Sequence, residues 1–178
     1  MAKTIKPLSG VPDLPSSLAY EDGTEVRLVP LEKTGGKALY VSAEGRCFSF
    51  CRSILRLIKP QATNSVINHH NGRRKQKYLR VRSYGNILVH HAVALAWIGL
   101  MPDAGYVVDH LNGLVTDNRI CNLQEVTSAE NMRRARYIRA LRELMPHHYQ
   151  TYEREDYLRF FAMPFDEFKA MLNQFKND

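Results

Sequence analysis

The chain has 178 residues, 44% of them hydrophobic, and its longest apolar run, 92–100, is far too short for a membrane-spanning helix. Three cysteines, Cys47, Cys51 and Cys121, with no CxxC pair exclude a four-cysteine zinc ribbon and argue for free thiols. A net charge of +7 points toward an anionic partner.

The opening MAKTIKPLSG lacks the apolar core of a secretory signal, so an intracellular (cytoplasmic) location is expected. Residues 1–23, rich in Pro and Gly, are predicted to be extended or loosely ordered. Glu25–Leu31 alternates like a strand, and Ala38–Ser42 with Arg46–Phe50 reads as two short strands around Ala43-Glu44-Gly45. Ile54–Lys59 is a further strand. The polar stretch Thr63–Gln76 is a loop or a hairpin tip, and Tyr78–Arg82 with Asn86–Val89 makes a strand pair. From His90 the period changes: His90, Val93, Ala94, Trp97 and Ile98 share a helical face that Gly99 closes. Tyr106–Asp109 and Leu123–Val126 are predicted antiparallel partners. Thr127 and Glu130 form a capping-box pattern opening a helix to about Leu144, and two amphipathic helices divided near Pro164 follow.

Charge is unevenly placed. Residues 46–102 hold ten Lys or Arg and no acid, and 128–142 hold five arginines against Glu130 alone, whereas 103–127 is acidic. Two basic blocks around an acidic loop suit a polyanion surface with a cation pocket between them. Within that loop stand Asp109-His110, Asn118 and Asn122, with Asn131 in the first turn of the capped helix. A carboxylate and an amide oxygen are hard ligands for one divalent ion, and an imidazole can take a proton from water. Together they suit hydrolysis of a phosphodiester.

This order of residues resembles the HNH endonuclease family, whose core is the ββα-metal, or His-Me, finger. The nearest subgroup looks like the phage and intron homing type. The segments that carry the resemblance are Val89-His90-His91-Ala92-Val93-Ala94, Asp109-His110-Leu111-Asn112-Gly113, Asp117-Asn118-Arg119-Ile120-Cys121-Asn122-Leu123 and Glu130-Asn131. His91 stands where Arg is usual and Asp117 where Asn is common. Upstream, Leu39–Arg46 is similar to a YxVSxxGR module often found ahead of such nucleases. The resemblance is strong over 86–134 and absent over 143–178.

The resemblance implies an α+β protein: a basic, β-rich portion over 1–84, a nuclease core over 85–144 and a helical segment over 145–178. It implies a metal-dependent DNA endonuclease, nicking or cutting both strands, whose general base is His110. Asn122 would hold the loop that orients His110, and Asp109 and Asn131 would hold the ion, with Mg²⁺ fitting few protein ligands and Mn²⁺ as a substitute. His90 reads as a packed histidine or a support of the pocket, and Asn118 as a support or a plain loop residue. Contacts to double-stranded DNA would come from Arg73, Arg74, Lys75, Lys77, Arg80 and Arg82, and from Arg119, Arg133 and Arg134. Monomer and homodimer both remain open. The competing reading is a catalytically silent DNA-binding regulator on the same fold.

Overall fold

The computed structural model describes residues 14–63, 65–69, 72–99 and 105–175, with side chains outside 65–76. Among them, no helix is long and apolar enough to cross a membrane. The architecture is α+β, as the sequence predicts.

Five strands, β1 (Ser17–Ala19), β2 (Glu25–Leu28), β3 (Leu39–Ser42), β4 (Cys47–Cys51) and β5 (Ile54–Ile58), form an antiparallel sheet in sequence order. Strand β3 is buried along its whole length because both faces of the sheet are covered. Side chains alternate, so Leu39 and Val41 join Val29 and Cys47 on one face, while Tyr40 joins Val26 and Phe48 on the other. Strand β2 stops at Leu28, short of the predicted Leu31, because Pro30 has no N–H for the ladder and a 3-10 turn follows at Leu31–Lys33. Strand β1 lies in the stretch expected to be loosely ordered; it is held because Ser17–Ala19 pairs with β2 and the Tyr20 ring packs 4.7 Å from Phe48.

The polar stretch after Thr63 forms a hairpin, β7 (Ser65–His69) against β8 (Gly72–Gln76). Around it β6 (Gln61–Ala62), β9 (Leu79–Val81) and β10 (Ile87–Leu88) make a small sheet of order β10-β9-β6. Helix α1 (Val89–Trp97) follows directly. Its residues Val89, Ala92 and Val93 pack into the cluster of Leu39 and Val41, so the N-terminal sheet and the following helix share one core. Two polar contacts reinforce that seam: the Trp97 indole donates to the Val41 carbonyl at 3.0 Å, and the Arg27 guanidinium lies 4.1 Å above the same ring.

Strands β11 (Tyr106–His110) and β12 (Leu123–Thr127) pair antiparallel, with Asp109 opposite Gln124 and His110 opposite Leu123. Helix α2 (Ser128–Leu144) starts where expected, with the Thr127 hydroxyl accepting the Glu130 N–H at 3.1 Å. The capping box is only half formed there: the Glu130 carboxylate binds Arg133 and Arg134 instead of turning back to Thr127. A reciprocal box occurs at the next helix, α3 (Arg154–Ala162), between Glu153 and Asp156. Helices α3 and α4 (Phe165–Phe175) lay Tyr157, Phe160, Phe161, Phe168 and Leu172 against Tyr137, Ile138 and Leu141 of α2. The aromatic stripe of the C-terminal segment is thus core.

Candidate active site

The loop between β11 and β12 is tied together by side-chain amides. Asn122 accepts the Asn112 N–H at 3.0 Å and donates to the Asn112 side-chain oxygen at 3.0 Å and to the Asp117 carbonyl at 2.8 Å. All three bonds of this exchange go to Asn112 and Asp117, so one buried carboxamide closes the turn that follows His110. Gly113 sits in that turn at φ +67°, and a Cβ there would stand 2.6 Å from Ile138 Cγ2 of α2. Only glycine lets helix and turn approach so closely. Arg142 completes the seam by donating to the Gly113 carbonyl at 2.6 Å.

The His110 ring is 5% exposed. Its Nε2 lies 3.3 Å from Asn118 Oδ1, and the Asn118 Nδ2 donates to the Thr116 carbonyl at 3.1 Å. The second bond orients the amide, leaving only its oxygen to face the histidine. Nε2 therefore carries the proton and Nδ1 has the free lone pair. Burial holds the imidazole below the ordinary histidine range, opposed by the Asn118 bond and the nearby Asp117 carboxylate. His90 packs edge-on to it with centroids 4.9 Å apart, and is itself edge-on to His91 at 4.4 Å. Burial, with His110 and His91 close by, pushes His90 down to about 2, so it is a neutral, packed ring; its Nδ1 is buried and has no hydrogen-bond partner among the described residues.

Asp109, His110 and Asn131 all line one cavity of about 470 Å³, together with Tyr78, Ile138 and Arg139. Alternation along a regular strand would send Asp109 and His110 to opposite faces, but β11 ends at His110 and the chain turns there, which leaves both at the cavity wall. Burial pushes the Asp109 carboxyl up to about 6, while Arg134 and the His110 backbone N–H pull it down and Glu130 raises it again. Arg134 pairs with Asp109 Oδ2 only at 3.8 Å, too long for a hydrogen bond, and that buried oxygen has no hydrogen-bond partner among the described residues. An orphaned carboxylate oxygen beside a carboxamide in the same cavity fits a hard divalent cation. Among the described residues no group of three His, Cys, Asp or Glu side chains is arranged to hold a metal ion, so the donor set is unlike a structural zinc site.

The basic residues separate into groups. Lys77 and Arg82 are exposed, and Arg80 is half-buried with a bond to Asn86 at 3.1 Å. The side chains of Arg73, Arg74 and Lys75 lie outside the described set; their backbone forms β8 of the hairpin. Arg119 is exposed but forks onto Asp117 with two contacts of 2.8 Å. The sequence reading turned Arg133 and Arg134 toward DNA, and the structure gives their donors partners inside the fold instead. Arg133 binds Glu130, the Tyr137 hydroxyl and the Phe161 carbonyl; Arg134, 9% exposed, binds Glu130 and Gln124 and stacks over Phe161. Sequence reasoning also passed over Tyr78 and Arg139 as cavity residues. For Arg139 the signal was present, eight residues beyond Asn131 on the same helix; for Tyr78, which reaches the site across the fold, there was none.

Asp117 provides a pH prediction. The Arg119 fork, with help from Asn112, holds its carboxyl below the usual value of 3.8 despite partial burial. A carboxylate depressed in the folded state adds stability above its unfolded value, and that stability fades as pH falls through the folded one. Asp117→Asn should therefore be less stable than the parent at neutral pH, with the gap closing on acidification below 3.8. A gap independent of pH in urea melts would refute this.

A buried imidazole, a carboxylate with an orphaned oxygen and a carboxamide thus line one cavity, carried on a strand pair and a capped helix. Residues 88–133, about a quarter of the chain, match the family model described as HNH endonuclease. No match to the chain was found among curated proteins or among solved structures.

Proposed function

We propose that the protein is a divalent-metal-dependent endonuclease acting on double-stranded DNA, of the homing type. The observation that carries this reading is the shared cavity of Asp109, His110 and Asn131. His110, with Nε2 committed to Asn118, would receive the proton of the attacking water at Nδ1. Asn118 acts as a positioning residue that selects this tautomer, and Asn122 holds the turn on which His110 depends. Water would add in line to phosphorus and release the 3′ oxygen, giving 5′-phosphate and 3′-hydroxyl ends.

HNH nucleases are generally dependent on a divalent metal, and here Asp109 Oδ2 and the Asn131 side-chain oxygen would hold it. When bound, such an ion, Mg²⁺ or Mn²⁺, neutralises negative charge that builds on the phosphate in the transition state. Arg134 sets the charge around Asp109, and the exposed Lys77 and Arg82 supply phosphate contacts beside the hairpin.

Supercoiled plasmid provides the test. Nicked or linear product should form with Mg²⁺ or Mn²⁺ and disappear with EDTA. Product that persists in EDTA would sink the metal-dependent reading, and DNA binding without cleavage under any metal would favour a silent regulator.

A further inference from the structure

The arginines of α2 at 133, 136, 139 and 142 are spaced by three. On a helix of 3.6 residues per turn such a series winds steadily around the axis instead of keeping to one face. Arg133 at one end is bonded within the fold, and Arg142 at the other reaches the Gly113 turn below the catalytic cavity. The two between are exposed, and neither makes a hydrogen bond or ion pair among the described residues. The Arg136 guanidinium lies over the Phe165 ring, 4.9 Å from its centroid.

Arg136 and Arg139 line a second, shallower groove, of about 180 Å³, between α2 and α4, with Ala140, Phe165, Glu143 and Lys169. Arg139 and Glu143 belong to both depressions, so the groove adjoins the cavity of Asp109, His110 and Asn131. Three uncommitted cations face one carboxylate, and the floor is apolar. Phe165 backs Arg136 and presents its guanidinium outward, an arrangement suited to phosphate oxygens. From Arg136 to Arg139 the helix rises about 4.5 Å, and Lys169 adds a third cation from α4. The track therefore offers three cations to the phosphates of one strand.

We infer that Arg136, Arg139 and Lys169 form a phosphate-binding track that guides the DNA backbone away from the catalytic cavity across the C-terminal helices. The inference rests on the DNA-cleaving reading and extends the contact surface to α4, a segment outside the matched domain.

The test is DNA affinity as a function of salt, measured on a duplex in EDTA between about 50 and 200 mM salt. Each phosphate contact contributes about 0.9 to the slope of log affinity against log salt. Replacing Arg136, Arg139 and Lys169 together by glutamine should flatten the slope by about 2–3 and weaken binding at least tenfold at fixed salt. Arg139→Gln alone, at an exposed site, should flatten it by about 1, and it keeps the test decisive if the triple variant fails to fold. An unchanged slope in the variants overturns the track whether or not the wild type cuts, as does a wild type without affinity for DNA. A wild type that binds with a slope the variants flatten, yet never cuts with any metal, upholds the track and sinks the nuclease reading alone.

Discussion

His110→Ala should lower the cleavage rate by about 10²–10⁴-fold, the usual contribution of a general base, while affinity for duplex DNA in EDTA stays within about twofold. The ring is buried between Asn118 and His90 and donates no bond outside this loop, so its loss removes the base without removing any charge that faces DNA. Truncation does leave a void beside His90. His110→Gln keeps most of the volume and can still donate to Asn118, but it has no basic nitrogen; it should be as inactive as the alanine variant. Plasmid nicking at the parental rate by either variant would dismiss His110 as the base.

Phe168→Ala should cost about 3–5 kcal/mol of folding stability, read from urea melts. The side chain is fully buried, with ring centroids 4.9 Å from Tyr137 and 5.4 Å from Phe160. It joins α4 and α3 to the underside of α2, the helix whose first turn carries Asn131. The loss should reach the cavity indirectly, since a looser α2 holds Asn131 less firmly at the wall it shares with Asp109. A cost below about 1 kcal/mol would mean that α4 is not docked on α2 as described.

The parts of this molecule legible in its sequence are those settled by near neighbours. Asp109, His110, Asn122 and Asn131 stand out because the chemistry of each is set by residue type and by an intervening turn of a few residues. The Asn112–Asn122 exchange spans only ten positions. Thr127 could be read as a cap for the same reason. The fate of Arg133 and Arg134 was not legible, because a helical arginine points where distant groups draw it: the carbonyl that Arg133 meets lies 28 residues downstream. Glu130 shows the same limit, since its carboxylate could serve the cap or the arginines, and two guanidinium partners outweigh one backbone N–H. Apolar periodicity located the C-terminal helices but could not say what they would cover. Strand β1 was hidden by the Pro and Gly around it, and its pairing became visible only once Tyr20 met Phe48.

The turn between β3 and β4 presses Gly45 onto the loop between β11 and β12: at φ +81°, a Cβ there would lie 2.9 Å from Asn118 Cβ, and Ala43 beside it accepts the Ile120 N–H at 2.7 Å. The segment that matches the family model is therefore not a portable cassette. Grafted elsewhere without that upstream sheet, residues 88–133 would lose the buttress behind Asn118 and, with it, the hydrogen-bond partner of the His110 imidazole.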